Sequence, residues 1–187
     1  MEFKILVSRL LRSFGSVFPA RKKESSRHKK GIDLNSSMSL VLLCKDSNEA
    51  ELNKRKKFLN HIKGEYGVRQ VLLFCFTENE KKDIPPYLGH LKELDFFSLE
   101  DLNWRFVPKA VLTSFCKENF DILIDLSSEA CEPLEHVISA SKAKMKIVRK
   151  NSVYEKYADF IVEIPKEKSE EEFLKETEYI LSNFSFK

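Results

Sequence analysis

The chain has 187 residues, is 42% apolar and 33% charged, and carries a formal net charge of +3 at pH 7. This length predicts one domain with a short appendage, and the apolar fraction is sufficient for a core. The small net charge excludes a polycation, the four cysteines show neither a disulfide framework nor zinc-ligand spacing, and no apolar run is long enough to cross a membrane.

The N-terminal segment differs in charge from the rest of the chain. Residues 1–30 contain two acidic residues, whereas residues 31–187 contain 27 acidic and 23 basic residues. A basic arm on a mildly acidic body indicates an anionic partner for the arm. The nine basic residues predicted to bind it are Lys4, Arg9, Arg12, Arg21, Lys22, Lys23, Arg27, Lys29 and Lys30.

The sequence of residues 3–18 predicts an amphipathic helix with a basic polar face. At about 100° per residue, eight apolar side chains fall within an arc of about 140°. This pattern favours docking on the inner face of the cytoplasmic membrane or on RNA such as the ribosome, but the apolar face could equally pack on the body or form a dimer. The apolar docking face consists of Phe3, Leu6, Val7, Leu10, Leu11, Phe14, Val17 and Phe18.

A charged, aperiodic linker follows this helix at residues 21–31. Strands and helices begin to alternate near residue 36. We therefore predict a basic helix and linker at residues 1–30 and one α/β domain at residues 31–187, which should fold without the arm.

The sequence of residues 31–187 predicts short, largely apolar strands separated by helices. The first run, SLVLLCK, is typical of a strand buried on both faces. We expect Asp46, Ser47 or Asn48 to cap the first helix. The predicted strands are 39–45, 68–76, 95–99, 121–127, 145–150 and 159–164. The predicted helices are 48–63, 107–119, 133–143 and 169–184, with an irregular segment or short helix at 84–94.

This alternation predicts right-handed βαβ crossovers and a mainly parallel sheet of about five to six strands. The predicted fold class is therefore α/β, a three-layer Rossmann-like domain preceded by the basic amphipathic helix. Pro133 is expected to open the third helix, and Ser169 with Glu172 has the spacing of a capping box before the last one.

Polar side chains end the strand FDILIDLSSE at the carboxyl edge of the sheet, where open α/β sheets bind ligands. Asp125, Ser127 and Ser128 could form a ligand or partner surface there. The structural interpretation is favoured: Asp125 acts as a turn carboxylate, and the serines, with Glu129, satisfy backbone groups ahead of the next helix.

A second polar segment, FFSLEDLNWRFVPK, follows the third strand. Asp101, Asn103, Trp104 and Lys109 could line a ligand or partner pocket with an aromatic wall. Here too the structural interpretation is favoured, because Ser98 and Asp101 have capping-box spacing and Trp104 could cover the edge of the sheet.

Sequence features of phosphate and metal sites are missing. There is no glycine-rich phosphate loop, and Asp46 and Glu49 in the first βα turn oppose an anion. The four histidines are scattered, without another ligand at metal spacing. We therefore predict no catalytic residues, no cofactor, no metal and no tight nucleotide.

The motifs KKGIDLN, SLVLLCKD, FFSLEDLNW, FDILIDLS and LEHVISASKAKMKIV resemble an uncharacterised family of short proteins from Bacteroidota, which implies no activity. Residues 120–149 are also similar to the end of the amino-terminal half of heptosyltransferase-like glycosyltransferases. Those enzymes need a second Rossmann-like half for the nucleotide sugar, and this chain ends where that half would begin. Arg149 and Lys150 replace the glycine that the resemblance implies after the fifth strand.

Two functions remain open. The favoured one is a non-enzymatic, cytoplasmic binding or adaptor protein whose basic helix docks on a membrane surface, RNA or another protein. With a membrane as partner, the protein would be peripheral at the inner membrane face. The alternative is a degenerate glycosyltransferase-like half, or another small-ligand enzyme half, that acts with a partner chain.

Overall fold

The computed structural model describes residues 27–89, 93–103, 109–165 and 167–183. The predicted N-terminal helix and its apolar docking face lie outside these residues. The strands are β1 (Ser39–Lys45), β2 (Gln70–Thr77), β3 (Leu94–Ser98), β4 (Ile122–Asp125), β5 (Met145–Arg149) and β6 (Phe160–Val162). The helices are α1 (Glu49–Tyr66), α2 (Ala110–Lys117), α3 (Glu132–Ala140) and α4 (Glu170–Asn183).

The described strands form one sheet in the order β3-β2-β1-β4-β5-β6, and every neighbouring pair is parallel. The order reverses between β1 and β4, as in dinucleotide-binding Rossmann folds. The predicted three-layer Rossmann-like α/β domain is confirmed.

Two apolar cores lie on opposite faces of the sheet because side chains alternate along each strand. The first core, between the sheet and helices α1 and α4, includes Leu42 of β1. The second core, between the sheet and helices α2 and α3, includes Leu43 of β1. Residues 40–44 are fully buried, which explains the unbroken apolar run in the sequence.

Two cysteines meet inside the first core. Cys44 and Cys75 are paired in the register of β1 and β2, and their Sγ atoms are 3.1 Å apart. The hydrogen bond to Cys44 and burial both raise the pKa of Cys75. Cys116 lies in the second core, and burial raises the pKa of its thiol to about 11. Both Cys44 and Cys75 are the small core residues that the sequence predicts.

Local signals set the helix ends. Asn48 accepts a hydrogen bond from the Glu51 amide at 3.0 Å and caps α1, which ends at Gly67 with φ of 68°, a conformation that glycine adopts without strain. Ser169 and Glu172 exchange the hydrogen bonds of a capping box before α4. These predicted caps are confirmed, as is a proline in the first turn of α3.

Some boundaries differ from the prediction. The strand predicted at 121–127 ends at Asp125, because Ser127 folds back to bind the Asp125 carboxylate. The segment after β2 contains two 3₁₀ turns, Lys81–Asp83 and Pro86–Leu88, in agreement with an irregular connection. Within the described ranges, no helix combines the length and the apolar character that a bilayer crossing requires.

Candidate functional site: the carboxyl edge and the basic segment

The carboxyl ends of β1 and β4 adjoin at the point where the strand order reverses. Open α/β sheets bind ligands at this switch point. In the parallel register, Leu43 of β1 is paired with Asp125, the last residue of β4. Asp46 follows the end of β1 directly. Carboxyl groups therefore stand at the ends of both strands that flank the switch point.

Asp125 is buried, with 2% of its surface exposed. Its Oδ1 accepts a hydrogen bond from the Ser127 hydroxyl at 2.7 Å, and the Ser127 amide also lowers its pKa. Its Oδ2 is buried without a hydrogen-bond partner among the described residues. Burial is the largest effect and raises the pKa of Asp125 to about 7. Asp125 is a turn carboxylate, as predicted, but one oxygen stays unsatisfied.

A tyrosine hydroxyl binds the backbone of the residue that precedes α3. No side chain caps this helix, and its N-cap residue is Cys131. The Tyr154 hydroxyl accepts a hydrogen bond from the Cys131 amide at 2.7 Å and donates one to the Cys131 carbonyl at 2.8 Å. The prediction that Ser127 satisfies backbone groups ahead of Pro133 is wrong, because its hydroxyl binds Asp125 instead.

Asp46 lies on the other side of the switch point. Thr77 of β2 donates to its Oδ2 at 3.5 Å. Burial raises the pKa of Asp46, and the Ser47 amide, Thr77 and the charge of Arg55 oppose this rise in part. Because an acidic group already lies in the first βα turn, a phosphate there would meet a negative charge.

A buried ion pair closes the end of β1. The Arg55 guanidinium donates through Nε and Nη2 to both carboxylate oxygens of Glu170, at 2.7 and 2.9 Å, and through Nη1 to the Lys45 carbonyl at 3.2 Å. Its side chain is 7% exposed. This clamp ties α1 to the start of α4 over the strand end. Sequence reasoning missed it, although Arg55 occupies the same apolar stripe of α1 as Leu52 and Leu59.

The two halves of the predicted ligand surface lie at different strands. Asp101 is buried and accepts hydrogen bonds from the Ser98 amide and hydroxyl, which forms the predicted capping box. Lys109 donates its amine to the Glu100 carbonyl at 2.6 Å, and Asn103 is exposed. Trp104 lies outside the described residues.

These groups follow β3, and the chain places β2 and β1 between β3 and β4. At about 4.8 Å per strand, the ends of β3 and β4 are about 14 Å apart. The strand ends therefore do not bring Asp101 and Asn103 next to Asp125 and Ser127, and exposed Ser128 stays with the second group.

The described end of the basic segment packs on the opposite, amino edge of the sheet. Arg27 donates through Nη1 to the carbonyls of Ala143 and Lys144, each at 2.9 Å, and its Nη2 pairs with Asp159 at 2.5 Å. Its side chain is 1% exposed. Arg27 thus serves as an internal anchor, which removes it from the residues that could face an anionic partner. Lys29 and Lys30 are exposed, and the other six predicted basic residues precede residue 27.

Acidic residues lie near both edges of the sheet, and Glu93, Asp121 and Asp159 directly precede β3, β4 and β6 at the amino edge. Every strand is followed within six residues by an acidic residue, in chain order Asp46, Glu78, Glu100, Glu129, Glu155 and Glu163. No group of three or more metal-binding side chains occurs in the part of the chain that the structure describes. Glu78 is paired with Lys45 and Glu163 with Lys150, so the carboxyl edge offers carboxylate acceptors whose negative charge is partly neutralised.

Comparison with known protein families shows to which family this chain belongs. The model of a family of unknown function, DUF6913, matches residues 18–184. The chain belongs to DUF6913. The predicted resemblance to an uncharacterised family is thereby confirmed, while the origin in Bacteroidota stays a prediction. Among curated proteins, no match to the DUF6913 chain was found.

The fold of the DUF6913 chain occurs in a known glycosyltransferase. The E. coli heptosyltransferase WaaC with ADP has a TM-score of 0.50 and 14% identity, over 79% of this chain and 48% of WaaC. WaaC with ADP-2-deoxy-2-fluoro heptose has a TM-score of 0.46 and 11% identity, over 76% and 47%. The DUF6913 chain thus spans about half the length of WaaC, and the first similarity shows a shared fold.

Proposed function

We propose that the protein is a non-enzymatic binding or adaptor protein whose basic N-terminal segment contacts an anionic partner. The observation that carries this proposal is the anchoring of Arg27 at the amino edge of the sheet. It fixes where the basic segment meets the body, on the side opposite the edge where Rossmann-like enzymes bind their ligands.

Two further basic residues lie next to the anchor. Lys30 is exposed, and Lys29 is exposed with its amine 3.4 Å from the Asp159 carboxylate. Arg21, Lys22 and Lys23 precede Arg27 by four to six residues in the sequence. A cluster of basic residues in this part of the chain favours polyanions such as a membrane surface or RNA.

The carboxyl edge supports the non-enzymatic interpretation. Asp46 in the first βα turn opposes the phosphates of nucleotides and nucleotide sugars, and no glycine-rich loop lets a phosphate approach the backbone. The four free cysteines support a reducing compartment, and we propose a cytoplasmic protein that is peripheral at the inner membrane face when its partner is lipid.

Co-purification at low and high salt tests the proposal. The full chain should retain lipid or RNA at low salt and release it at high salt, because screening weakens exposed charges. Changing Arg21, Lys22 and Lys23 to Ala should reduce the retained amount. A matched control changes Lys57, Lys82 and Lys175, which are exposed elsewhere on the body. Equal retention by both triple variants would contradict a role for the basic segment.

A second candidate, an enzyme half that binds a small ligand and acts with a partner chain, rests on Asp125. A buried carboxyl oxygen without a partner at the switch point is an unused hydrogen-bonding group, which donates to a ligand when Asp125 is protonated and accepts when it is ionised. WaaC, which has the same fold, was solved with ADP. Asp46 in the first βα turn favours an uncharged or cationic ligand over a nucleotide, and this candidate therefore ranks second.

A further inference from the structure

We propose that the amino edge of the sheet is itself a docking surface for an anionic lipid bilayer, on which the basic segment and the body act together. This inference rests on the proposed function and adds the body residues and the chemical class of the partner. The amino-edge patch is defined by Lys30, Met38, Arg69, Lys117, Lys142 and Lys144.

A continuous series of hydrogen bonds holds one side of the patch together. The Arg69 amide donates to the Met38 carbonyl, and the Met38 amide donates to Asp121 at 2.7 Å. Lys144 donates its amine to the other oxygen of Asp121, also at 2.7 Å. The Lys30 amide then donates to the Lys144 carbonyl at 3.1 Å. Residues from four separate parts of the chain are thereby fixed in one row.

The remaining lysines adjoin this row. The Lys142 amide donates to the Cys116 carbonyl, which places Lys142 beside Lys117 at the end of α2. Lys117 and Lys142 are both exposed. Within the described part of the chain, neither forms an ion pair that would neutralise it, whereas Lys144 is paired with Asp121. Lys117 and Lys142 therefore contribute positive charge to the surface of the patch, although exposed Glu118, next to Lys117, offsets part of it.

The patch has the dimensions of a flat docking surface. Arg69 precedes β2 and Lys144 precedes β5, and these strands are separated by β1 and β4. Three strand spacings correspond to about 14 Å. The ends of several parallel strands lie side by side, so their basic side chains can approach one plane together, as a bilayer surface requires.

An exposed apolar side chain favours lipid over nucleic acid. Met38 is 47% exposed, and its backbone lies between Arg69 and Asp121 in the row. An unbranched apolar side chain within a basic patch can enter the interface between headgroups and acyl chains, whereas nucleic acid offers it little. Proteins that hold single-stranded nucleic acid typically use aromatic rings for stacking. The eight apolar residues predicted on one face of residues 3–18 favour the same partner.

Vesicle binding by the full chain tests this inference. Vesicles of phosphatidylcholine with 30% phosphatidylserine, sedimented at low salt, should bind the chain, and pure phosphatidylcholine should not. Each basic residue near such a surface contributes on the order of 1 kcal/mol, so Lys117→Glu with Lys142→Glu should weaken partitioning at least about tenfold. The matched control, Lys57→Glu with Lys82→Glu, changes the net charge equally on exposed sites outside the patch.

A second variant, Met38→Asn, separates the apolar from the ionic contribution to vesicle binding. Met38→Asn should weaken vesicle binding by a similar factor at low and high salt, because the lost contact is not ionic. Met38 is 47% exposed and belongs to neither apolar core. Lys117 also stabilises the C-terminal end of α2, so the thermal midpoint of each variant is measured in parallel.

Each result decides between the two proposals. If Leu10→Asp abolishes vesicle binding while the patch variants bind like the control, the amino edge is not involved, but the basic segment still binds an anion. The chain could instead bind a single-stranded 20-nucleotide RNA more tightly than vesicles at equal salt, with Met38→Asn leaving vesicle binding unchanged. In that case the proposal of a lipid partner is wrong, but the proposal of an anionic partner is retained. If neither vesicles nor RNA are bound, both proposals are wrong.

Discussion

Asp125 should make the stability of the protein depend on pH near neutrality. Its carboxyl group is buried and has a pKa of about 7 in the folded state, against an ordinary value of 3.8. In the folded protein the group therefore keeps its proton at pH values where the unfolded chain has lost it. The resulting stabilisation is fully present below pH 4 and is lost as the pH rises through 7.

The magnitude follows from the two pKa values. At 1.36 kcal/mol per pKa unit, they correspond to about 4 kcal/mol between pH 4 and pH 8, as an upper limit for a fully buried group. A domain of this size has a total stability of about 5–15 kcal/mol, so the effect is measurable. The ionised state is unfavourable because Ser127 donates to Oδ1 while Oδ2 faces no donor.

Asp125→Asn removes this titration and keeps an oxygen for the Ser127 hydroxyl. The side-chain NH2 group of this variant replaces Oδ2 and has no acceptor there, which lowers the free energy of unfolding by about 1–3 kcal/mol at every pH. Urea unfolding followed by circular dichroism at pH 5, 6, 7 and 8 gives the free energy of unfolding of both proteins. Between pH 5 and pH 8 the difference between them should shift in favour of the variant by up to about 2.6 kcal/mol. Asp95→Asn, at an exposed site of β3, is the control.

A difference that is constant with pH would refute this reasoning. It would mean that Asp125 is ionised throughout, with a counter-charge or ligand on Oδ2. In that case Ser127→Ala would cost the same at pH 5 and pH 8. If the reasoning is correct, that substitution should cost more at pH 8, because the hydroxyl stabilises the charged form.

Three other predictions concern the edges of the sheet. Calorimetry with ADP should show no binding tighter than about 100 μM, and low-micromolar affinity would support the enzyme candidate instead. Glu170→Ala should lower the free energy of urea unfolding by about 2–4 kcal/mol, because it leaves the Arg55 guanidinium buried without its carboxylate, whereas the exposed neighbour Glu171→Ala should change little. Equal losses would contradict the clamp. Arg27→Ala in the full chain should cost about 1–3 kcal/mol by the same assay, since three hydrogen bonds to the body are lost, one of them to Asp159. Unchanged unfolding would contradict the anchor.

The fold was predictable because local patterns determine it. Continuous apolar runs indicate strands buried on both faces, and residues 39–45 form a strand with the predicted bounds. Capping by Asn48, and by Ser169 with Glu172, needs only neighbours in sequence. The order of the strands was not predictable, because alternation along the chain shows that crossovers exist but not on which side of β1 each strand is added.

The candidate sites were less predictable because their partners come from distant parts of the chain. Arg55 meets Glu170, 115 residues away, and Arg27 meets Asp159, 132 residues away. No spacing rule relates such pairs. For Asp125 the sequence shows the turn and its serine, but not that Oδ2 lacks a donor. An unsatisfied group depends on what all surrounding elements fail to supply, and local sequence does not contain that information.

The buried cysteines lie on both faces of the sheet, so they can report separately on the detachment of each helical layer. Cys44 and Cys75 are covered by α1 and α4, whereas Cys116 belongs to α2 in the opposite helical layer and faces the second core. A thiol reagent can reach these side chains only after the covering helices separate from the sheet, so labelling rates measure the free energy of each opening. Quantifying modification at Cys75 and Cys116 in one experiment would show which helical layer detaches first, without any engineered label.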